Sequence, residues 1–413
     1  MSHDHNILTP SLESYFTIPS NWVWKRLKYL SEIKKGRIAD IDENKSEISS
    51  LPYLSMEYLR GLSEPQYVRV DENSVLANDG DILLLWDGSN AGEFIKAKKG
   101  VVSSTLAKLY IHAINEKYLF FSLKASENFI KSQNTGMGIP HVNGDFLLSV
   151  PIPIPSLERQ QTIADYLDNE TFRIDALISA KEKLIKLFTV KRNSLIVNSV
   201  CRGLNTQVKL KNSGFDWLGN IPDHWSVERS KWLLTERNER TENDDGELLT
   251  VSHITGVTPR ADKEVNMFKA ETTEGYKICR KGDLVINTMW AWMGAMGISA
   301  VDGIVSPGYN VYIVGSRMFE EYINYLVKIK NFCTEIIRYS KGVWSSRLRL
   351  YPEGLFMIYF PVPPLYEQKE IVNYLNMETA KVNSLINATE KSIEILRERR
   401  SAIITAAVTG KIK

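Results

Sequence analysis

The sequence predicts an α+β chain with a pseudo-twofold internal repeat: two mixed α/β domains, each followed by a helical region, with the long helices paired as an antiparallel coiled coil. Three observations predict this. The stretch "PSLERQQTIADYL" at residues 155–167 returns as "PPLYEQKEIVNYL" at residues 363–375. After each copy, apolar residues recur at three- and four-residue steps, the period of an amphipathic helix. Before each copy, the chain diverges except at a few framework positions.

At 413 residues the chain exceeds what one hydrophobic core usually supports, so two globular units are expected. Its 43% hydrophobic and 24% charged residues are ordinary for a soluble protein. The formal net charge is only +2, so any surface for a polyanion must be a local concentration of Lys and Arg. No apolar run approaches the roughly 18 to 20 residues that span a bilayer. The start "MSHDHNILTPSLESYF" has no basic segment followed by an apolar one, and a cytoplasmic location without membrane contact is expected. Cys201, Cys279 and Cys333 are scattered with no CxxC spacing, which predicts neutral thiols rather than disulfides or a zinc site.

A shift of 208 positions lays Pro153, Pro155, Leu157, Gln160, Ile163, Tyr166 and Leu167 on Pro361, Pro363, Leu365, Gln368, Ile371, Tyr374 and Leu375. Each copy reads as a short helix followed by a long one. The prolines hold the entry extended, Ser156 can cap the first helix, and Asp168-Asn169 and Asn376 are natural breaks before Glu170 or Glu378. In the long segments Ile174, Leu177, Ile178, Ile185, Phe188, Leu195 and Ile196 form one stripe, and Val382, Leu385, Ile386, Ile393, Leu396, Ile403 and Ile404 form the other. Two such stripes would bury each other, although each helix could instead pack on its own domain. A helix of about 30 residues rises roughly 45 Å, long for a purely internal element.

The preceding segments share "IPSNWVWKRLKYL" (Ile18 to Leu30) with "IPDHWSVERSKWLL" (Ile221 to Leu234), and "NDGDILLLWDG" with "RKGDLVINTMW". In the latter pair a Gly-Asp turn, Gly80-Asp81 or Gly282-Asp283, feeds an apolar strand. Final strands are expected around Phe146 to Ile154 and Leu355 to Val362. The resulting division is 1–152, 153–204, 205–360 and 361–413.

Catalytic signatures are missing. The sequence has no GxxxxGK[ST] phosphate loop, no GxGxxG after a strand and no Asn-Pro-Pro-Tyr or Asp-Pro-Pro-Tyr segment. "PDHWSVERSK" lacks the Lys two positions after its Glu that a metal nuclease needs. The six His residues form no metal-ligand spacing. The residues read as a binder, not an enzyme.

This architecture resembles the specificity (S) subunit of Type I restriction-modification systems over nearly the whole chain. The residues that carry the resemblance are the two Ile-Pro-x-x-Trp openings, "PIPSLERQQTIADYLDNETFRIDALI", "PVPPLYEQKEIVNYLNMETAKVNSLI" and "RRSAIITAAVTGKI". The central copy ends "NSVCRGL", one residue longer before its Gly than the terminal copy. The resemblance implies two target recognition domains, 1–152 and 205–360, and two conserved helical regions. It implies a bipartite double-stranded DNA target with one half-site per domain, two modification (methyltransferase) subunits as partners, and two restriction subunits in the endonuclease. S-adenosylmethionine, ATP and magnesium would belong to those partners, with no cofactor in this chain.

A DNA reader needs Lys and Arg for phosphates and short polar side chains for base edges. In the first domain the candidates are Lys34, Lys35 and Arg37; Asn90 in "WDGSN"; Lys98 and Lys99; and Gln133, Asn134, Thr135 and His141 in "SQNTGMGIPH". In the second they are Asn287 in "NTMWAWMG" and Lys341, Trp344, Ser345, Arg347 and Arg349 in "YSKGVWSSRLRLYP". Trp86, Trp290 and Trp292 follow apolar strands and fit either a core or a contact. The loops at 132–141 and 341–349 stand at the same distance from the proline repeat yet share no residues, as specificity loops should. A two-armed protein scaffold that reads no DNA is the other reading, and the small net charge favours it.

Overall fold

The computed structural model describes residues 17–41, 50–136, 138–242, 246–262, 272–342 and 348–412. The chain forms two compact units: Met1–Lys181 with Lys391–Lys413, and Glu182–Glu390. Both long helices, Leu157–Arg202 and Leu365–Val408, contribute to both units. A unit is therefore one α/β domain plus a stretch of each helix.

In the first unit, strand Val23–Arg26 pairs antiparallel with Pro151–Ile154, joining the two ends of the domain. A four-stranded antiparallel sheet follows in the order Ser31–Lys35, Leu106–Ile111, Ile82–Leu85, Phe94–Lys96. A second sheet runs Tyr67–Arg69, Ser50–Leu54, Gly100–Val102, Leu76–Ala77. Helix Glu116–Lys131 starts where the Asn115 side chain accepts the Tyr118 N–H, and it buries Tyr118, Leu119, Phe121 and Leu123. Its core also takes in Ile404, Ala407 and Val408 from the end of the terminal long helix.

The second unit repeats this plan. Ser226–Arg229 pairs with Tyr359–Val362, and its four-stranded sheet runs Leu234–Glu236, Tyr309–Val314, Leu284–Asn287, Met296–Ile298. Where the first unit has its second sheet, this one has, among the described residues, two antiparallel pairs, Leu249–Ser252 with Gly256–Pro259 and Lys277–Cys279 with Gly303–Val305. The Gly-Asp turns are capped alike. Asp81 accepts the Asn78 N–H at 2.7 Å and the Lys108 ammonium at 2.6 Å, and Asp283 accepts the Arg280 N–H at 2.8 Å and the Arg237 guanidinium at 2.7 Å. A buried cation on each Asp keeps the charged turn stable beside the sheet.

The helical regions differ from expectation in one respect: each is a single helix, 46 residues from Leu157 and 44 residues from Leu365. The polar residues expected to break them are held by tertiary partners instead. Asp168 accepts Lys96 at 3.2 Å and Lys117 at 2.7 Å, and Asn376 accepts the Tyr325 hydroxyl at 2.7 Å. Ser156 does cap the entry, accepting the Arg159 N–H at 3.4 Å. The final strands are also shorter than expected, because the short helices Gly144–Ser149 and Pro352–Leu355 precede them.

Within the first unit the two long helices run antiparallel: Arg159 Nη2 donates to Ile412 O at 2.7 Å, and Arg400 pairs with Asp175 at 2.9 Å. Within the second, Arg192 Nη1 donates to Asn383 Oδ1 at 2.6 Å. Ile174, Val382, Ile393 and Ile404 are buried. Leu177 and its repeat counterpart Leu385 are not, remaining 52% and 50% exposed. They point out of the stripe that the spacing assigned them to.

Candidate nucleic-acid interface

At the end of strand Ile82–Leu85, the first unit gathers three of its predicted stretches. Asp87 is the hub: Lys35 Nζ lies 2.6 Å from its Oδ2 and His141 Nδ1 lies 2.5 Å from its Oδ1. Burial acts to raise the Asp87 carboxyl, but the hydrogen bonds from Lys35 and His141 outweigh it and hold the group below the usual carboxylate range. Backbone bonds fasten the same place, with Gly88 N–H donating to Pro140 O and Val142 N–H to Trp86 O, each at 3.0 Å. The loop base itself is a two-residue bridge between Thr135 and His141.

Beside this hub a groove of about 400 Å³ is lined by Tyr53, Ser55, Arg60, Ser89, Asn90 and Ser104 together with Met56 and Leu85. Asn90 and Ser89 are exposed there. Arg60 is tied to Glu93. Thr135 is exposed at the loop base, and Lys34 is exposed in strand Ser31–Lys35, where the alternation of the strand turns it to the face opposite Lys35. No ion pair among the described residues holds Lys34.

The other predicted residues of this unit stand apart. Lys98 lies over the Tyr58 ring at 4.4 Å, and Lys99 follows the turn at Asp79, at the far end of the strand from Asp87. Arg37 lines a separate pocket with Asp40, Arg69 and Asp71. Gln133 is half-buried at the end of its helix. Asn134 faces inward: its Nδ2 donates to Ala91 O at 2.8 Å, pinning the loop to the Gly88–Ala91 turn.

The second unit has the same frame. Lys341 and Arg349 form the bridge at the loop base, and Leu350 N–H donates to Thr288 O at 3.0 Å. Arg349 is the repeat counterpart of His141. Both cations are exposed. Trp344, Ser345 and Arg347 lie outside the described residues. The strand-end turns also coincide: Leu85 N–H donates to Glu93 O and Asn287 N–H to Ala295 O, with Gly92 and Gly294 at the same step in the left-handed region (φ +97° and +86°). Asn287 therefore takes the place of Leu85, not of the exposed loop. It is 5% exposed and its Oδ1 accepts the Met289 N–H at 3.2 Å, so it is a turn-capping residue rather than a contact. Trp86 and Trp292 pack against the cores of their units, and Trp290 is exposed.

Asp87 and Tyr53 are the residues that a search for cations and amides misses. Only the position of Asp87, directly after a strand in "WDGSN", signals it. No cluster of His, Cys, Asp and Glu able to hold a metal occurs among the described residues, and no helix among them is long and apolar enough to cross a membrane. Burial pushes the Cys201 thiol up to about 12 and those of Cys279 and Cys333 to about 11, which keeps them protonated.

Residues 19–187 match the family model described as Type I restriction modification DNA specificity domain. The chain is 28% identical over 414 residues to the Type I restriction enzyme MjaVIII specificity subunit of Methanocaldococcus jannaschii, covering 96% of this chain and 94% of that protein. It is 17% identical to the EcoBI specificity subunit of Escherichia coli, covering all of this chain and 90% of that one. Among solved structures, a chain from a study of complex assembly and conformational transition of the type I R-M system superposes with a TM-score of 0.70 at 15% identity, covering 95% of this chain and 99% of that one. The HsdS subunit from Thermoanaerobacter tengcongensis does so with a TM-score of 0.51 at 17% identity, covering 96% and 98%. In its two-unit fold, its internal repeat and nearly its full length, the chain is similar to the specificity subunits of Type I restriction-modification systems.

Proposed function

We propose that the chain reads a bipartite double-stranded DNA target, one half-site per unit, and performs no chemistry itself. The observation that carries this is the pair of loop bases, Thr135 with His141 and Lys341 with Arg349, built on one backbone frame and filled with different side chains. A common frame with divergent contact residues suits two readers of different sequence. In this reading the long helices set the spacing between half-sites.

The same proposal assigns docking of two modification subunits to the helical regions. Leu177 and Leu385, exposed at equivalent positions, support it, because a partner surface that accepts one accepts the other. Methylation with S-adenosylmethionine, and cleavage with ATP and magnesium by two restriction subunits, then belong to the partners, and the complex works in the cytoplasm.

Binding of random duplexes by the full-length chain with its co-purifying subunits tests the proposal. Enrichment of two short sequences at fixed separation, with affinity that falls steeply as salt rises, is expected. Co-purification of partner proteins with no selected sequence would favour the two-armed scaffold.

A further inference from the structure

The matched turns at the sheet ends carry opposite chemistry. On the frame set by Gly92 and Gly294, Gly88 and Asn90 of the first unit correspond to Trp290 and Trp292 of the second. Trp292 is anchored: it packs on the core of its unit, and its Nε1–H donates to Met289 O at 3.0 Å. Trp290 stacks on it with ring centroids 6.2 Å apart and an interplanar angle of 25°, and remains 48% exposed. A ring backed by a fixed neighbour has little rotamer freedom left to lose on binding. The exposed indole is thus presented in place, like a built contact.

Its surroundings indicate the occupant. The Lys341–Arg349 bridge, fastened to this turn through Leu350 and Thr288, carries two exposed cations. No ion pair among the described residues holds Arg349. An exposed indole on a turn bonded to a cation-bearing bridge suits a polyanion that also carries apolar groups, and the major groove of DNA offers those as thymine C5 methyls. The first unit presents Ser89 and Asn90 at its turn and has only hydrogen-bonding groups to offer there.

Resting on the DNA reading proposed above, we infer that Trp290 is a specificity-determining residue that reads a thymine methyl in the half-site of the second unit. Full-length wild-type and Trp290→Ala chains, each with its co-purifying subunits, select from random duplexes, and thymines of the affected half-site are then replaced singly by deoxyuridine. Trp290→Ala should relax one position in one half-site and leave thermal stability unchanged. Removing the methyl at that position should weaken wild-type binding about four-fold, the worth of one buried CH₂, and leave Trp290→Ala unaffected, while Trp290→Phe keeps most of the sensitivity. Uniformly weaker binding by Trp290→Ala with the selected sequence intact would place the indole on sugar or backbone and overturn the inference. Identical selection by both chains would overturn it equally. Failure of the wild type to select any sequence is a separate outcome and overturns the DNA reading on which the inference rests.

Discussion

Gln368 Oε1 accepts the Phe319 N–H at 2.7 Å, tying the first turn of the terminal long helix to the start of helix Glu320–Leu326. Its repeat counterpart, Gln160, accepts the Asn115 N–H at 2.9 Å at the start of helix Glu116–Lys131. Both carboxamides also donate back to the proline entry, to Pro363 O at 2.8 Å and Pro155 O at 3.0 Å, and both are buried, 0% and 2% exposed. One side chain in each unit thus joins three chain segments. Gln368→Leu strands a buried N–H and a carbonyl, and should cost about 1–3 kcal/mol in urea unfolding; Gln160→Leu should cost the same. A change near zero for both would mean that the segments are held by packing alone.

Each long helix ends on a glycine lying against the tryptophan of an Ile-Pro-x-x-Trp opening. Gly203 has φ +72° and a Cβ there would stand 3.1 Å from the Trp225 ring; Gly410 has φ +76° and a Cβ there would stand 2.5 Å from Pro19 Cδ. The one-residue offset between the repeats is absorbed at this joint. Gly→Ala at either site forces a left-handed residue with a side chain, about 1 kcal/mol or more, and Gly410→Ala should be the more damaging because the proline ring stands closer. Thermal midpoints of the two variants decide this, and equal losses would contradict it.

The Asp87 hub predicts a pH dependence. Because the folded carboxyl is held below its ordinary value, its contribution is present above the unfolded value and is lost as pH falls through the folded one. The loop base should therefore be tightest at neutral pH and loosen in acid below about pH 4. Amide exchange at Gly88 and Val142 reports it directly. Asp87→Asn should speed that exchange a few-fold at neutral pH, a modest effect because Lys35 and His141 are both half exposed. Unchanged exchange would mean that the backbone bonds hold the loop unaided.

Leu177→Glu and Leu385→Glu should leave the thermal midpoint within error, since each side chain faces solvent. Each should remove one copy of a co-purifying partner, and the double variant both, as read by the mass of the isolated complex. Loss of folding in either variant would show that these leucines pack within the helices after all.

The repeat made the two-unit plan legible, because the positions that recur in both halves are those that build the frame: the Gly-Asp turns, Trp22 and Trp225, Gln160 and Gln368. Three features were hidden. Asp168 and Asn376 look like helix breaks until Lys96, Lys117 and Tyr325, remote in sequence, are seen to satisfy them. Leu177 and Leu385 fit a helical stripe whose partner a single sequence cannot name. In the candidate site, Asn287 carried the wrong register, since the repeat offset at the strand end differs from that at the prolines and moves it onto a buried strand position.

Mapping modified bases in the genome of a host that carries this chain tests its role most directly. With the natural chain, two half-sites at one fixed spacing are expected; with residues 132–141 replaced by an unrelated loop of equal length, one half-site should change while the other and the spacing persist. Modification without any common sequence, or a loop replacement that alters both halves together, would contradict a two-unit reader.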